Sequence, residues 1–178
     1  MAIASNLVKD HEVILKVLDS LELKLSELRR TGSISLIDYL DEMLDFSRVF
    51  IDRCHHGKEE KCLFPCIEKR GIPKEGGPIG VMLMEHEMGR NLVKKIREKL
   101  DLYKKREVKL DEVIEPCYEY LGLLRQHIYK ENNILFPMAD EVVTKEDIDD
   151  TSKCYEKREE EVGEHERLEK LAHKLLRS

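Results

Sequence analysis

The stretch HHGKEEKCLFP runs from His55 to Pro65, and HIYKENNILFP runs from His127 to Pro137. Aligned through the shared LFP, six of the eleven positions are identical: His, Lys, Glu, Leu, Phe and Pro. This register pairs His55 with His127 and Glu59 with Glu131, whereas His56 falls opposite Ile128 and Glu60 opposite Asn132. A shorter echo precedes each copy, DHE at 10–12 and EHE at 85–87, at an offset of 75 against 72 for the longer repeat. The chain therefore reads as a duplicated helical hairpin, each half carrying a lone histidine and then H-x-x-x-E.

The residues around these motifs have helical spacing. Leu7, His11, Ile14, Leu18, Leu21, Leu25 and Leu28 alternate steps of four and three, which is an apolar stripe along one helix face. Thr31 and Gly32 end it. A second helix starting after Ser33 or Ser35 carries Ile37, Leu40, Leu44, Ser47, Ile51, His55, Glu59 and Cys62. After the break RGIPKEGGP, a third carries Ile79, Leu83, His86, Val93, Ile96, Leu100 and Tyr103. The fourth carries Val113, Cys117, Tyr120, Leu124, His127, Glu131, Ile134 and Met138. Short connections make neighbours antiparallel, so the fold expected is an all-α, up-down-up-down four-helix bundle. Pro65 and Pro137 each remove a backbone donor late in a helix, where a kink or stop is expected. Residues 1–143 form the expected bundle, and residues 144–178 read as one or two further helices, broken near Gly163 and packed on its outside or end.

Composition narrows the function. Charged residues make up 38% of the 178, and no apolar run approaches the roughly 20 residues of a membrane span. The first residues lack a basic start followed by a long apolar stretch, so no signal peptide is expected and a cytoplasmic location follows as the default. The formal net charge of -6, with KKIREK and KREEE as solvated helix faces, argues against a nucleic-acid partner. The five cysteines contain no C-x-x-C pair and are expected to be buried thiols in a reducing compartment.

Each of the four helices places one histidine on an otherwise apolar face: His11, His55, His86 and His127. Two add a glutamate four residues on, Glu59 and Glu131, which shares that face. A lone histidine on such a stripe is ordinarily a satisfied core residue. Two glutamates buried close together are costly, because their repulsion forces protonation unless positive charge sits between them. No Lys or Arg occupies these stripes at matching depth, so cations at the centre are expected. Imidazole and carboxylate without thiolate suit iron or manganese, and zinc less specifically. Two carboxylates serving four histidines imply two metals about 3.5–4 Å apart, bridged by both. A bridging oxide or hydroxide then brings each metal to five ligands and leaves one position open.

At these residues the sequence resembles the hemerythrin-like family of HHE cation-binding domains over about residues 5–140. The resemblance implies a non-haem di-iron centre in a four-helix bundle. His11 and His55 would ligate one iron, His86 and His127 the other, and Glu59 and Glu131 would bridge. Oxygen-carrying relatives have a further histidine one turn after that of the third helix, and here this position is Arg90. The set looks more like the di-iron proteins of nitric-oxide stress and iron–sulfur repair. Those carry a cysteine-containing N-terminal domain, whereas this sequence opens on the bundle. The resemblance thus implies a protein that binds or senses oxygen, nitric oxide or iron and redox state. The alternatives are an enzyme or iron donor acting in nitrosative or oxidative stress, or a structural helical module with an incidental metal. The partner expected is a small diatomic ligand, and the C-terminal helices are candidates for a protein or dimer interface. Asp10 and Glu85 are expected by default as surface acids, with orientation of neighbouring groups as the alternative; Glu60 is expected to be solvated or to stand just behind the ligands, and Tyr120 to be core, with a hydroxyl donor role as the alternative. His165 and His173 fall outside the repeat.

Overall fold

The computed structural model describes residues 2–163 and 165–177. Six helical rods make it up, and no strand occurs among the described residues. Helix α1 spans Ser5–Thr31, α2 spans 34–69, α3 spans Pro78–Lys104 and α4 spans 111–142. Each packs on the next and α4 returns to α1, which closes the four-helix bundle. Two more helices follow, α5 (Lys145–Val162) and α6 (His165–Arg177). Among the described residues, no helix is long and apolar enough to cross a membrane.

Helix α1 ends where Gly32 adopts φ 62° and its N–H caps Leu28 O at 2.8 Å. Only a residue without Cβ takes that left-handed turn at no cost, so the glycine sets the reversal into α2.

Neither Pro65 nor Pro137 stops its helix. Instead the winding of the rod changes ahead of each. In α2, residues Ser47–His56 and Glu59–Leu63 are π-helical, and in α4 so are Glu131–Leu135. The α-helical winding resumes at Phe64 and Phe136, placing each proline in a first turn, where its missing N–H breaks no bond. The wider π turn also moves the buried face. Ile134 and Met138, expected inside by α-helical spacing, are exposed, and Leu135, Phe136 and Ala139 are buried instead.

Two apolar clusters fill the bundle. One runs from Ile14 to Leu28 on α1 and joins Leu40, Ile51, Ile96, Leu100, Val113 and Leu124. The other gathers Ile3, Leu7, Leu63, Phe64, Ile79, Met82, Leu135 and Phe136 at the opposite end. The polar residues of the motifs lie between them.

Helix α5 starts with a capping box, Thr144 and Asp147 bonding each other's backbone N–H. Asp147 also takes two bonds from Arg70, which fastens α5 beside the end of α2. Farther along, Tyr155 is buried with its hydroxyl donating to Ile3 O. A disulfide joins Cys62 of α2 to Cys154 of α5. This corrects the expectation of five thiols. Cys54, Cys66 and Cys117 are free, but the bonded pair lies 92 residues apart and meets only because α5 folds back along α2. Helix α6 buries Ala172 and Leu175 in the first cluster, beside α1 and α2, and exposes His173. The side chain of His165 lies outside the described residues.

Candidate metal centre

All six motif residues come together. His11, His55, His86 and His127 are each 1% exposed, and Glu59 and Glu131 are fully buried. Within each half the imidazoles face one another: His11 Nε2 lies 3.0 Å from His55 Nε2, and His86 Nε2 lies 3.2 Å from His127 Nε2. The glutamates join the halves. Glu59 sets Oε1 3.5 Å from His55 Nε2 and Oε2 3.2 Å from His86 Nε2. Glu131 sets Oε2 3.2 Å from His11 Nε2 and 3.3 Å from His127 Nε2.

The outer edges of the rings decide the chemistry of the inner ones. His55 Nδ1 donates to Asp10 Oδ2 at 3.1 Å and His127 Nδ1 to Glu85 Oε2 at 3.0 Å. His86 Nδ1 donates to Glu60 Oε1 at 2.8 Å, and His11 Nδ1 to Asn132 Oδ1 at 2.8 Å. A carboxylate oxygen only accepts, as does the amide oxygen of Asn132, so each of these rings carries a proton on Nδ1 and, when neutral, aims the Nε2 lone pair inward. Four such lone pairs converge with two carboxylates. All four carboxylate oxygens are buried without a hydrogen bond. Such a chamber is all acceptors, and a buried group of acceptors requires a cation.

The titration behaviour expresses the same demand. Burial alone would lower the imidazoles, but Glu131 outweighs it at His11, and Glu59 with Glu60 push His86 up to about 9. Burial would raise Glu131, yet His127, His11 and His55 hold it at about 2. The carboxylates draw protons onto His11 and His86. Metal binding releases such protons.

The outer acceptors have partners of their own. Lys58 Nζ lies 2.7 Å from Asp10, and its repeat counterpart Lys130 bonds Glu85. Arg90, on α3, bonds Glu60 at 2.5 Å and Asp52 at 2.8 Å. It does not stand in for a ligand; it steadies the acid that orients His86. Lys58 also corrects the expectation of no buried cation at this depth. It is fully buried, but it turns outward to Asp10, Asn6 and Glu159 rather than in toward Glu59. Asp10, Glu85 and Glu60 are therefore not merely solvated acids. The signal for Lys58 and Lys130 was present in the repeat, where lysine is one of the six identical positions. The phenylalanine of LFP has a place too: Phe136 stacks on His11 at 5.6 Å and Phe64 on His86 at 5.9 Å.

A seventh residue joins the six. His56 is 4% exposed, and its ring stacks on His86 at 3.8 Å. Burial, with His86, His55, His127 and Arg90 around it, lowers its pKa well below the usual histidine value and keeps it neutral. The ligand-capable groups fall into two sets of four that share Glu59. One is His11, His55, Glu59 and Glu131; the other is His56, Glu59, His86 and His127. Alignment of the repeat set His56 aside because its counterpart is Ile128. The π winding of Ser47–His56 turns fewer degrees per residue than an α-helix, which brings two successive histidines to the interior.

A cavity of about 470 Å³ adjoins the second set. Its buried wall includes Ile51, His56, His86, Gly89 and Tyr120, and its outer wall includes Arg48 and Lys94. Tyr120 is buried core, as expected, with its hydroxyl bonded to Ser47.

Comparison with known families agrees with this geometry. The description of the hemerythrin HHE cation-binding domain matches residues 2–139, which takes in α1 through α3, most of α4 and every residue of the chamber. No curated protein matches the chain. The bundle, the duplicated His and Glu motifs and this match make the chain a member of the hemerythrin HHE cation-binding domain family.

Proposed function

We propose that the chain is a non-haem di-iron protein that binds a small diatomic ligand, oxygen or nitric oxide, or responds through it to iron or redox state. His11 and His55 hold one iron, His86 and His127 hold the other, and Glu59 and Glu131 bridge them. The observation that carries this reading is the all-acceptor chamber: four inward Nε2 lone pairs around carboxylate oxygens that lack hydrogen bonds. The spacing of Glu59 supports bridging, since one oxygen faces each half. Iron so held supplies redox-active binding of a small ligand. The protein's contribution is to fix the imidazoles, through Asp10, Glu85, Glu60 and Asn132, and to bury the pair. A cytoplasmic setting goes with this reading. There the Cys62–Cys154 bond would be open to exchange with cellular thiols.

The expected result is two iron ions per chain after growth with iron, with ligand-to-metal absorption near the ultraviolet. Well under one iron per chain, with no such absorption on metal add-back, would exclude the reading.

One observation favours the enzyme alternative. The cavity beside His56 and His86 holds about 470 Å³, many times the roughly 30 Å³ share of a single water. That room takes two diatomic molecules at once, as nitric oxide reduction to nitrous oxide requires, or the larger peroxide, so nitric oxide or peroxide reduction in nitrosative or oxidative stress is the second reading. Stopped-flow mixing of the reduced protein with oxygen, nitric oxide and peroxide separates the two. A stable reversible adduct supports binding, and repeated turnover supports catalysis.

A further inference from the structure

Among the histidines at the chamber, His56 is the one the symmetric scheme does not use. It is buried, and its Nδ1 has no hydrogen-bond partner. Each of the other four chamber histidines has its Nδ1 bonded to an outer acceptor. The nearest acid to His56 Nδ1, Asp52 Oδ1, is 3.8 Å away and engaged by Arg90 at 2.8 Å. An imidazole buried with a free nitrogen lacks the satisfaction expected of a core histidine.

Its position suggests the missing partner. Ligand-capable atoms of His56, Glu59, His86 and His127 all lie within 4.8 Å of one another. A tetrahedral metal with imidazole bonds of about 2.1 Å holds its ligand atoms about 3.4 Å apart. The set therefore closes on one ion with shifts of under about 1 Å per atom. The ring is now parallel to His86, with an interplanar angle of 11°, so its nitrogens do not yet converge with those of His86. Convergence takes a turn about the Cβ–Cγ bond, which is a broad, soft torsion in histidine. Because His56 also borders the cavity, the ring has space for that turn. No counterpart exists in the other set, where Ile128 occupies the equivalent position.

We propose that His56 supplies a fifth imidazole to the chamber, completing the metal position of His86 and His127 from α2. The two metal positions are then unequal, three histidines against two. The inference rests on the metal reading above.

The test uses the full chain, freed of metal and titrated with cobalt(II) alone. Wild type is expected to bind two cobalt ions. His56→Ala is expected to keep one site and bind the second cobalt at least about tenfold more weakly, beyond the lower end of the loss seen when a group supporting a ligand is removed. His56→Cys is expected to add an intense thiolate-to-cobalt absorption in the near ultraviolet, absent from wild type, whose own thiols serve as the control. If His56→Ala fails to fold by circular dichroism, His56→Cys decides. Two cobalt ions bound with wild-type affinity by His56→Ala, or the absence of a thiolate band in loaded His56→Cys, overturns the inference and leaves the six-residue centre standing. A wild-type chain that binds no cobalt pair overturns the metal reading itself, and this inference with it.

Discussion

The two halves of the chamber match in their inward-facing histidines and glutamates and differ in what surrounds them. Around His11 and His55 the structure is closed. Lys58 is fully buried behind Asp10, Glu159 of α5 reaches Lys58 at 2.9 Å, and Asn132 presents an uncharged amide to His11. Around His86 and His127 it is more open. His56 takes the place of Ile128, Glu60 presents a carboxylate to His86, the cations Arg90 and Lys130 are each about one-third exposed, and the cavity begins there. Duplication accounts for the likeness of the inner residues. Apart from His56 against Ile128, divergence is confined to the next layer out, where it sets charge and access. One half is therefore sealed and the other borders open space.

The largest expected effect tests the part the halves share. Glu59→Ala and Glu131→Ala should each end binuclear binding, leaving at most one metal per chain by elemental analysis; two metals in either variant would contradict bridging. The next effect separates the halves. Lys58→Ala empties the buried Lys58 site and leaves the partly buried Asp10 and Glu159 without their cation, and should cost about 2 kcal/mol in chemical denaturation. Arg90→Ala, about one-third exposed, should cost under about 1 kcal/mol. Equal losses would mean that burial does not distinguish them.

A third test uses pH. The His86 pKa is raised to about 9 in the folded metal-free protein, against about 6.5 unfolded. Its stabilising contribution is therefore fully present below about pH 6.5 and is lost as pH rises through about 9. The denaturation midpoint of the metal-free protein should fall across that window, and the fall should be absent once metal replaces the proton. The last test makes one half resemble the other. Glu60→Gln gives His86 the neutral partner that His11 has, and should weaken metal binding by about tenfold. Asn132→Asp should strengthen binding by no more than that. Competition with a chelator measures both.

The inner six residues were legible because duplication printed them twice at one spacing. The bundle was legible for a related reason: its apolar stripes repeat at 3.6 along α1 and α3 and along the first parts of α2 and α4. What lay beyond was tertiary. Asp10 holds His55 and Glu60 holds His86, contacts that cross between helices and leave no fixed spacing. Lys58 and Lys130 were visible as identical residues, but their partners were not. A constant α-helical pitch puts Ile134 and Met138 inside, and the π turn breaks that pitch. The partnership of Cys62 and Cys154 depends on a helix folding back from 92 residues away.

The π turns carry one last consequence. A π turn closes its hydrogen bond one residue later than an α turn, so it is an α turn with a residue inserted. Deleting one residue within 47–56 would remove that insertion, let α2 wind as plain α-helix there and leave His55 and Glu59 facing inward. Deleting one residue from the plain α-helix before it, within 34–46, would instead turn everything beyond by about 100°, and His56 and Glu60 would take the places of His55 and Glu59. The neighbouring His-His and Glu-Glu pairs thus hold a second reading frame for the same helix, one in which a histidine and a glutamate four residues apart still face inward.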